Sequence, residues 1–123
     1  MAPMLPKLFF LHFEGTSFVA EDDEGRLAGF LVGFLSQTDP ADAYVHFVGV
    51  APEQRGSGLG RELYERFFDA TREAGRSTVR CVTSPANETS IAFHQALGFQ
   101  VDRVVDDYDG PGESRVLLVK QLS

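Results

Sequence analysis

The chain has 123 residues, 43% of them hydrophobic and eleven of them Phe, enough for one domain with a packed core and too few for two. Its formal net charge of -7 and pI near 4.8 exclude a general nucleic-acid or anionic-membrane binder, since those need a basic face to displace counterions. An acidic surface favours solubility and would also draw a cationic substrate.

The opening "MAPMLPKLFFLHF" lacks a basic leader and a small-residue cleavage site, so it does not read as a signal peptide; its apolar part reads as the tail of a helix carrying His12 on its surface. "TSFVAED" and "RLAGFLVGFLSQ" flank "DEG" and read as a hairpin, the second arm apolar on both faces and therefore central in a sheet. The cluster Glu21 to Glu24 is then a solvated turn. That second arm stops at Gln37, and no apolar run reaches the roughly 18 residues of a membrane span. After the loop "TDPADA", "YVHFVGV" reads as a third strand with Tyr44, His46, Val48 and Val50 on one face. Gly49, near its end, suggests a bulge or a close backbone approach.

Three glycines at alternate positions come next, in "RGSGLG". Leu59, Leu63, Phe67, Ala70 and Ala74 then recur at helical spacing, with Glu62–Arg66 and Asp69–Arg72 on the wet face and Gly75 as the stop. "STVRCVTS" is a strand holding the single cysteine, Cys81, a buried core residue in this reading. One cysteine forms no intrachain disulfide, which points to a reducing compartment and hence the cytoplasm. "NETSIAFHQALGF" is a short helix with Asn87 as N-cap and Gly98 at its end; "FQVDRVVDDY" and "SRVLLVKQL" pair as strands across "DGPGE".

The expected architecture is α/β: one domain over residues 1–123, with a mixed sheet, flanking helices and a βαβ crossover around the glycine turn. A Gly-rich turn between strand and helix suits a phosphate, because glycine lets the backbone approach and the helix start offers unpaired N–H groups. Gly56, Gly58 and Gly60 give G-x-G-x-G, with Arg61 where a dinucleotide fingerprint needs glycine, and no Gly-Lys pair exists for a Walker loop. A plain helix start is the other reading.

The strand, the "VAP" that closes it, "RGSGLG" opening a helix and, about 30 residues on, "NETSIAFHQALGF" together resemble the GNAT superfamily of N-acetyltransferases over residues 16–122. The resemblance implies a mostly antiparallel sheet whose central strand pair splays to admit the pantetheine arm of acetyl-CoA. It implies that Arg55, Gly56, Ser57, Gly58, Leu59, Gly60 and Arg61 form or flank a pyrophosphate cradle. Val48, Gly49 and Val50 would pair with the pantetheine as though it were a strand. Asn87, Ser90, Phe93 and His94 would line the cofactor from the second helix.

Two departures accompany it. The tyrosine that many members use to meet the departing thiol is replaced by His94, and the family's first strand and helix have no counterpart in the segment ahead of residue 16. His94 is then an acid, a thiol-positioning donor or a semi-buried histidine. His46 is a base, a relay or a core histidine, and Tyr108 an acceptor-side or solvent-facing tyrosine. The expected reaction is direct acetyl transfer to a small-molecule or exposed protein amine, without metal, nucleic acid or membrane. A non-catalytic CoA-binding module is the alternative. A homodimer covering the edge strand at 16–22 or the segment "LFFLHF" is also expected.

Overall fold

The computed structural model describes residues 14–21, 25–51, 58–108, 110–112 and 114–122. The expected N-terminal helix tail with His12, the acidic cluster after Glu21, and Arg55, Gly56 and Ser57 lie outside the described residues. After a short turn at Glu14–Thr16 come β1 (Phe18–Glu21), β2 (Leu27–Leu35), β3 (Asp42–Val50), α1 (Leu59–Glu73), β4 (Thr78–Thr83), α2 (Glu88–Ala96), β5 (Gln100–Val105) and β6 (Arg115–Gln121). This is the order expected from the sequence.

The strands form one sheet in the order β1-β2-β3-β4-β6-β5. Every pairing is antiparallel except β3 with β4, which are joined by the α1 crossover. A parallel pair needs such a crossover, because a tight turn cannot bring the chain back to the same end. β2 is buried on both faces, with Leu31 and Val32 fully enclosed, as its continuous apolar run requires.

α1 lies across one face of the sheet. Leu63, Tyr64, Phe67 and Phe68 meet Leu31, Ala43, Val45, Val79, Cys81 and Leu118 there. Each large side chain so enclosed contributes about 1.5–3 kcal/mol relative to exposure. The buried stripe is rotated from the expected one: Tyr64, Phe68 and Thr71 are in it, whereas Ala74 is exposed. Thr71 is tolerated because its hydroxyl donates to the Phe67 carbonyl at 2.8 Å. The helix sits close to β2 because Gly33 has no Cβ to meet the Phe67 ring. Gly75 ends α1 with φ 77, and the Glu62–Arg66 and Asp69–Arg72 pairs form on its outer face. Among the described residues no helix is long and apolar enough to cross a membrane.

Candidate active site

β3 and β4 pair over three registers only: Asp42 with Thr78, Ala43 with Val79 and Tyr44 with Arg80. Beyond that point β3 continues to Val50 against β2, and β4 continues to Thr83 against β6. The expected splay is therefore present, and among the described residues one edge of the β3 backbone carries no ladder beyond Tyr44.

The bulge in β3 is not at the glycine that suggested one. The irregularity lies at His46 rather than Gly49: Val32 pairs with Phe47 and Gly33 with Val45, which leaves His46 as the extra residue. Gly49 has another reason to be glycine, since the Phe30 ring occupies the space a Cβ would take.

An extra residue in an alternating strand switches the face taken by the residues after it. Ala43 and Val45 face α1, and beyond the bulge so do Val48, which packs on the core, and Val50, which reaches Gly60. Tyr44 and His46 take the opposite face, where the Phe34 ring lies 5.4 Å from Tyr44 and 6.2 Å from His46. The expectation that His46 shares a face with Val48 and Val50 is thus corrected.

At the open end of the fork, Gly58 caps α1 in the left-handed region at φ 88, with no side-chain bond to the helix start. Among the described residues nothing lies within 4 Å of where its Cβ would be. The helix ladder begins from its carbonyl, which accepts from the Glu62 amide at 3.0 Å. First-turn amides beside open space fit a phosphate group. Leu59 packs on the core beside this turn. A Cβ on Gly60 would come 3.1 Å from the Phe93 ring, so a bare backbone there lets α1 and α2 meet. Arg61 donates to the Ala96 carbonyl at 3.3 Å and stands 4.0 Å from Glu65, an engagement with the helices themselves.

On α2, Asn87 caps the helix by accepting from the Ser90 amide at 3.0 Å. Asn87→Ala is expected to lower stability by about 1 kcal/mol, read from chemical denaturation; an unchanged midpoint would count against the cap. The Ser90 carbonyl lies 2.7 Å from His94 Nδ1, and Thr83 donates to the Ser90 hydroxyl at 3.2 Å. A carbonyl only accepts, so Nδ1 carries the proton; Nε2, at 2.6 Å, accepts from the Tyr64 hydroxyl.

His94 is 5% exposed, and burial lowers its pKa, opposed by the Ser90 carbonyl. Burial likewise holds the Tyr64 pKa well above its ordinary value, with the Cys81 thiol adding to it. The Cys81 thiol, buried as expected, is pushed up to about 12 by desolvation, against the lowering effect of its bond to Tyr64. The resemblance implied that His94 lines the cofactor, with a semi-buried histidine as another reading. In the structure both of its ring nitrogens are engaged inside the core, and its neighbour Phe93, 36% exposed, faces Gly60 instead.

On the opposite face of the sheet, where the fork begins, a groove of about 430 Å³ is lined by Asp42, Tyr44, Arg80, Asp102, Arg103 and Tyr108, among others. Arg80 Nε donates to Asp42 at 2.7 Å, and its Nη1 stands 3.7 Å from Asp102. Arg76 fixes one wall by donating to the carbonyls of Ser36, Asp39 and Asp42 at 2.9, 3.1 and 3.0 Å. Tyr108, half-exposed, is part of this groove. Tyr64, Arg80, Asp102 and Arg103 were not singled out from the sequence. The one available signal was Tyr64 four residues after Gly60, on the same helix face. Among the described residues no group of three or more His, Cys, Asp or Glu could hold a metal ion.

The acetyltransferase (GNAT) family pattern matches residues 2–99. The chain is 38% identical over 85 residues to an L-2,4-diaminobutyric acid acetyltransferase of Nocardia farcinica, covering 69% of this chain and 44% of that protein. It is 27% identical over 117 residues to an N-terminal acetyltransferase complex ARD1 subunit homolog of Dictyostelium discoideum, covering 92% and 57% of the two chains. The chain thus spans about half the length of these curated relatives. Among solved structures it is similar to nourseothricin acetyltransferase, with a TM-score of 0.78 and 31% identity over 87% of this chain and 65% of that one.

Proposed function

We propose, from the premise that this chain belongs to the acetyltransferase (GNAT) family, that it moves an acetyl group from acetyl-CoA to a primary amine by direct transfer in a ternary complex. The observation that carries this reading is the fork. Its open end is headed by the left-handed N-cap Gly58, which offers the helix start no side-chain bond, and on the other face its apex meets a polar groove.

Gly58 and the first turn of α1 would hold the pyrophosphate, with Arg55, Gly56 and Ser57 completing the turn. The unladdered edge of β3 at Val48–Val50 would hold the pantetheine arm as an added strand, flanked by Phe93. Acetyl-CoA supplies an activated acyl group whose thiol is a fairly good leaving group. The amine enters from the groove of Tyr44 and Tyr108, its nitrogen bonds the acetyl carbon, and the C–S bond breaks with its electron pair going to sulfur.

A lysine-type amine is neutral only about once in a few thousand molecules at pH 7, so removing its proton matters. His46 shares the groove's face of the sheet with Tyr44, which favours it as the base or water relay. A backbone N–H near Val50 would meet the developing oxyanion. Cys81 is buried and holds its proton at neutral pH, which supports transfer without a covalent acyl-enzyme. His94 acts through Tyr64 as a positioning residue, since neither ring nitrogen is open to a thiol.

The test is melting temperature with acetyl-CoA, NAD or ATP, followed by thiol release against a panel of amines. Stabilisation by acetyl-CoA with thiol release supports the reading. Stabilisation without release from any amine favours a CoA-binding module without turnover, the reading that the internally engaged His94 would fit. Stabilisation by NAD or ATP alone overturns both.

A further inference from the structure

The groove is lined by three carboxylates, Asp39, Asp42 and Asp102, and two guanidiniums, Arg80 and Arg103. Their partners separate them. Asp42 on β3 and Asp102 on β5 both stand against Arg80 on β4, and so commit its charge. Among the described residues the Asp39 carboxylate accepts only from the Ala41 amide at 3.0 Å, through one of its two oxygens. Arg103 has no ion pair or hydrogen bond among the described residues, although Asp102 adjoins it in sequence.

The adjacency does not produce a pair because Asp102 is the extra residue of a second bulge, between Val101 and Arg103, and is turned to Arg80. Arg103 pairs in register with Leu117, on the face that carries the groove. The groove therefore presents an uncommitted cation on β5 and a partly committed anion at Asp39, with the apolar Val82 and Leu117 between the strands.

Three kinds of amine would meet these groups differently. A polyamine sets a positive charge against Arg103. A peptide N-terminus sets an uncharged amide there. A free amino acid sets its carboxylate on Arg103 and an ammonium toward the aspartates, which satisfies both signs at once. We infer that the acceptor is a free amino acid or a close relative with an unblocked carboxylate, and that Arg103 recognises that carboxylate. This rests on the groove being the acceptor side of the transfer proposed above.

The test is kcat/KM, by thiol release from acetyl-CoA, for a set of L-amino acids, each compared with its carboxamide and its decarboxylated amine. The free acids are expected to exceed the carboxamides by about 10- to 100-fold, the range for a charge-assisted bond made to a carboxylate and absent from the amide. The carboxamide's amine is the less basic, so the comparison is biased against this result. Arg103→Met should bring the ratio close to one, while acetyl-CoA still raises the variant's melting temperature and so reports an intact fold. Arg103→Lys should keep part of the preference, as a point charge without the planar fork.

Carboxamides or amines used as well as the acids, or an acid preference unchanged in Arg103→Met, would overturn the inference and leave the transferase reading in place. If no amine releases thiol, the transferase reading fails by itself. The groove is then judged by melting temperature with CoA and an N-acetyl amino acid or its amide: stabilisation by the acid alone, lost in Arg103→Met, supports carboxylate recognition, and equal or absent stabilisation overturns it.

Discussion

Replacing Gly58 by valine is expected to abolish acetyl-CoA binding, by at least about 100-fold in affinity, in a protein that still folds. Two effects act there, and they separate. The backbone at Gly58 has φ 88, a region that β-branched residues occupy at a cost of about 1–3 kcal/mol, so some stability is lost. No atom of the described residues lies within 4 Å of the added Cβ, so the side chain clashes with none of them. It would fill the space in front of the first amides of α1, where a phosphate must come close.

Gly75 supplies the control. It has φ 77 and likewise no described atom within 4 Å of an added Cβ, but it ends α1 at the far end from the fork's open end. Gly75→Val should therefore lose comparable stability and keep its stabilisation by acetyl-CoA. Melting temperatures of both variants with and without acetyl-CoA make the comparison. If Gly58→Val binds within about twofold of wild type, the glycine turn only starts a helix, and the assignment of acetyl-CoA to this fork falls.

The features legible in the sequence were those encoded locally. The order of elements, the Asn87 cap, the stops at Gly75 and Gly98 and the crossover between β3 and β4 follow from spacing and from residues with restricted or unusual backbone freedom. The splay was legible too, but its position was not. A bulge at His46 has no local mark, because it is chosen by how β3 registers on β2, a contact between segments far apart in the chain. Gly49 drew the expectation because glycine is a visible signal, whereas its actual cause, the Phe30 ring, is a tertiary one.

The same limit explains the site. Arg80 pairs with Asp42 across 38 positions of sequence and with Asp102 across 22, which periodicity does not register. His94 was visible as a residue, with burial among its readings, but its bond to Tyr64 was not, since Tyr64 reaches it from another helix.

His94→Phe tests that burial. The ring volume is kept, but Tyr64 loses the acceptor at 2.6 Å and retains only its contact with the Cys81 thiol, a weak partner. Leaving a buried hydroxyl poorly satisfied is expected to lower stability by about 1–3 kcal/mol at pH 7.5. The double variant Tyr64→Phe with His94→Phe removes both partners and should lose less than the sum of the two single variants.

The pH dependence has a definite sign. Burial holds the folded-state pKa of His94 below the unfolded value of about 6.5, so below that pH the unfolded chain binds more protons than the folded one. The stability contributed by the neutral imidazole is complete above the unfolded value. It is lost as pH falls from there toward the folded value, with a slope of at most about 1.4 kcal/mol per pH unit. The phenylalanine variant has no such limb. Its deficit relative to wild type should therefore shrink between pH 7.5 and pH 5, as read from denaturant midpoints at each pH. A deficit that grows on acidification would mean that the fold stabilises a charged His94. A variant of unchanged stability with turnover reduced by one to two orders of magnitude would return His94 to the role of acid for the departing thiol.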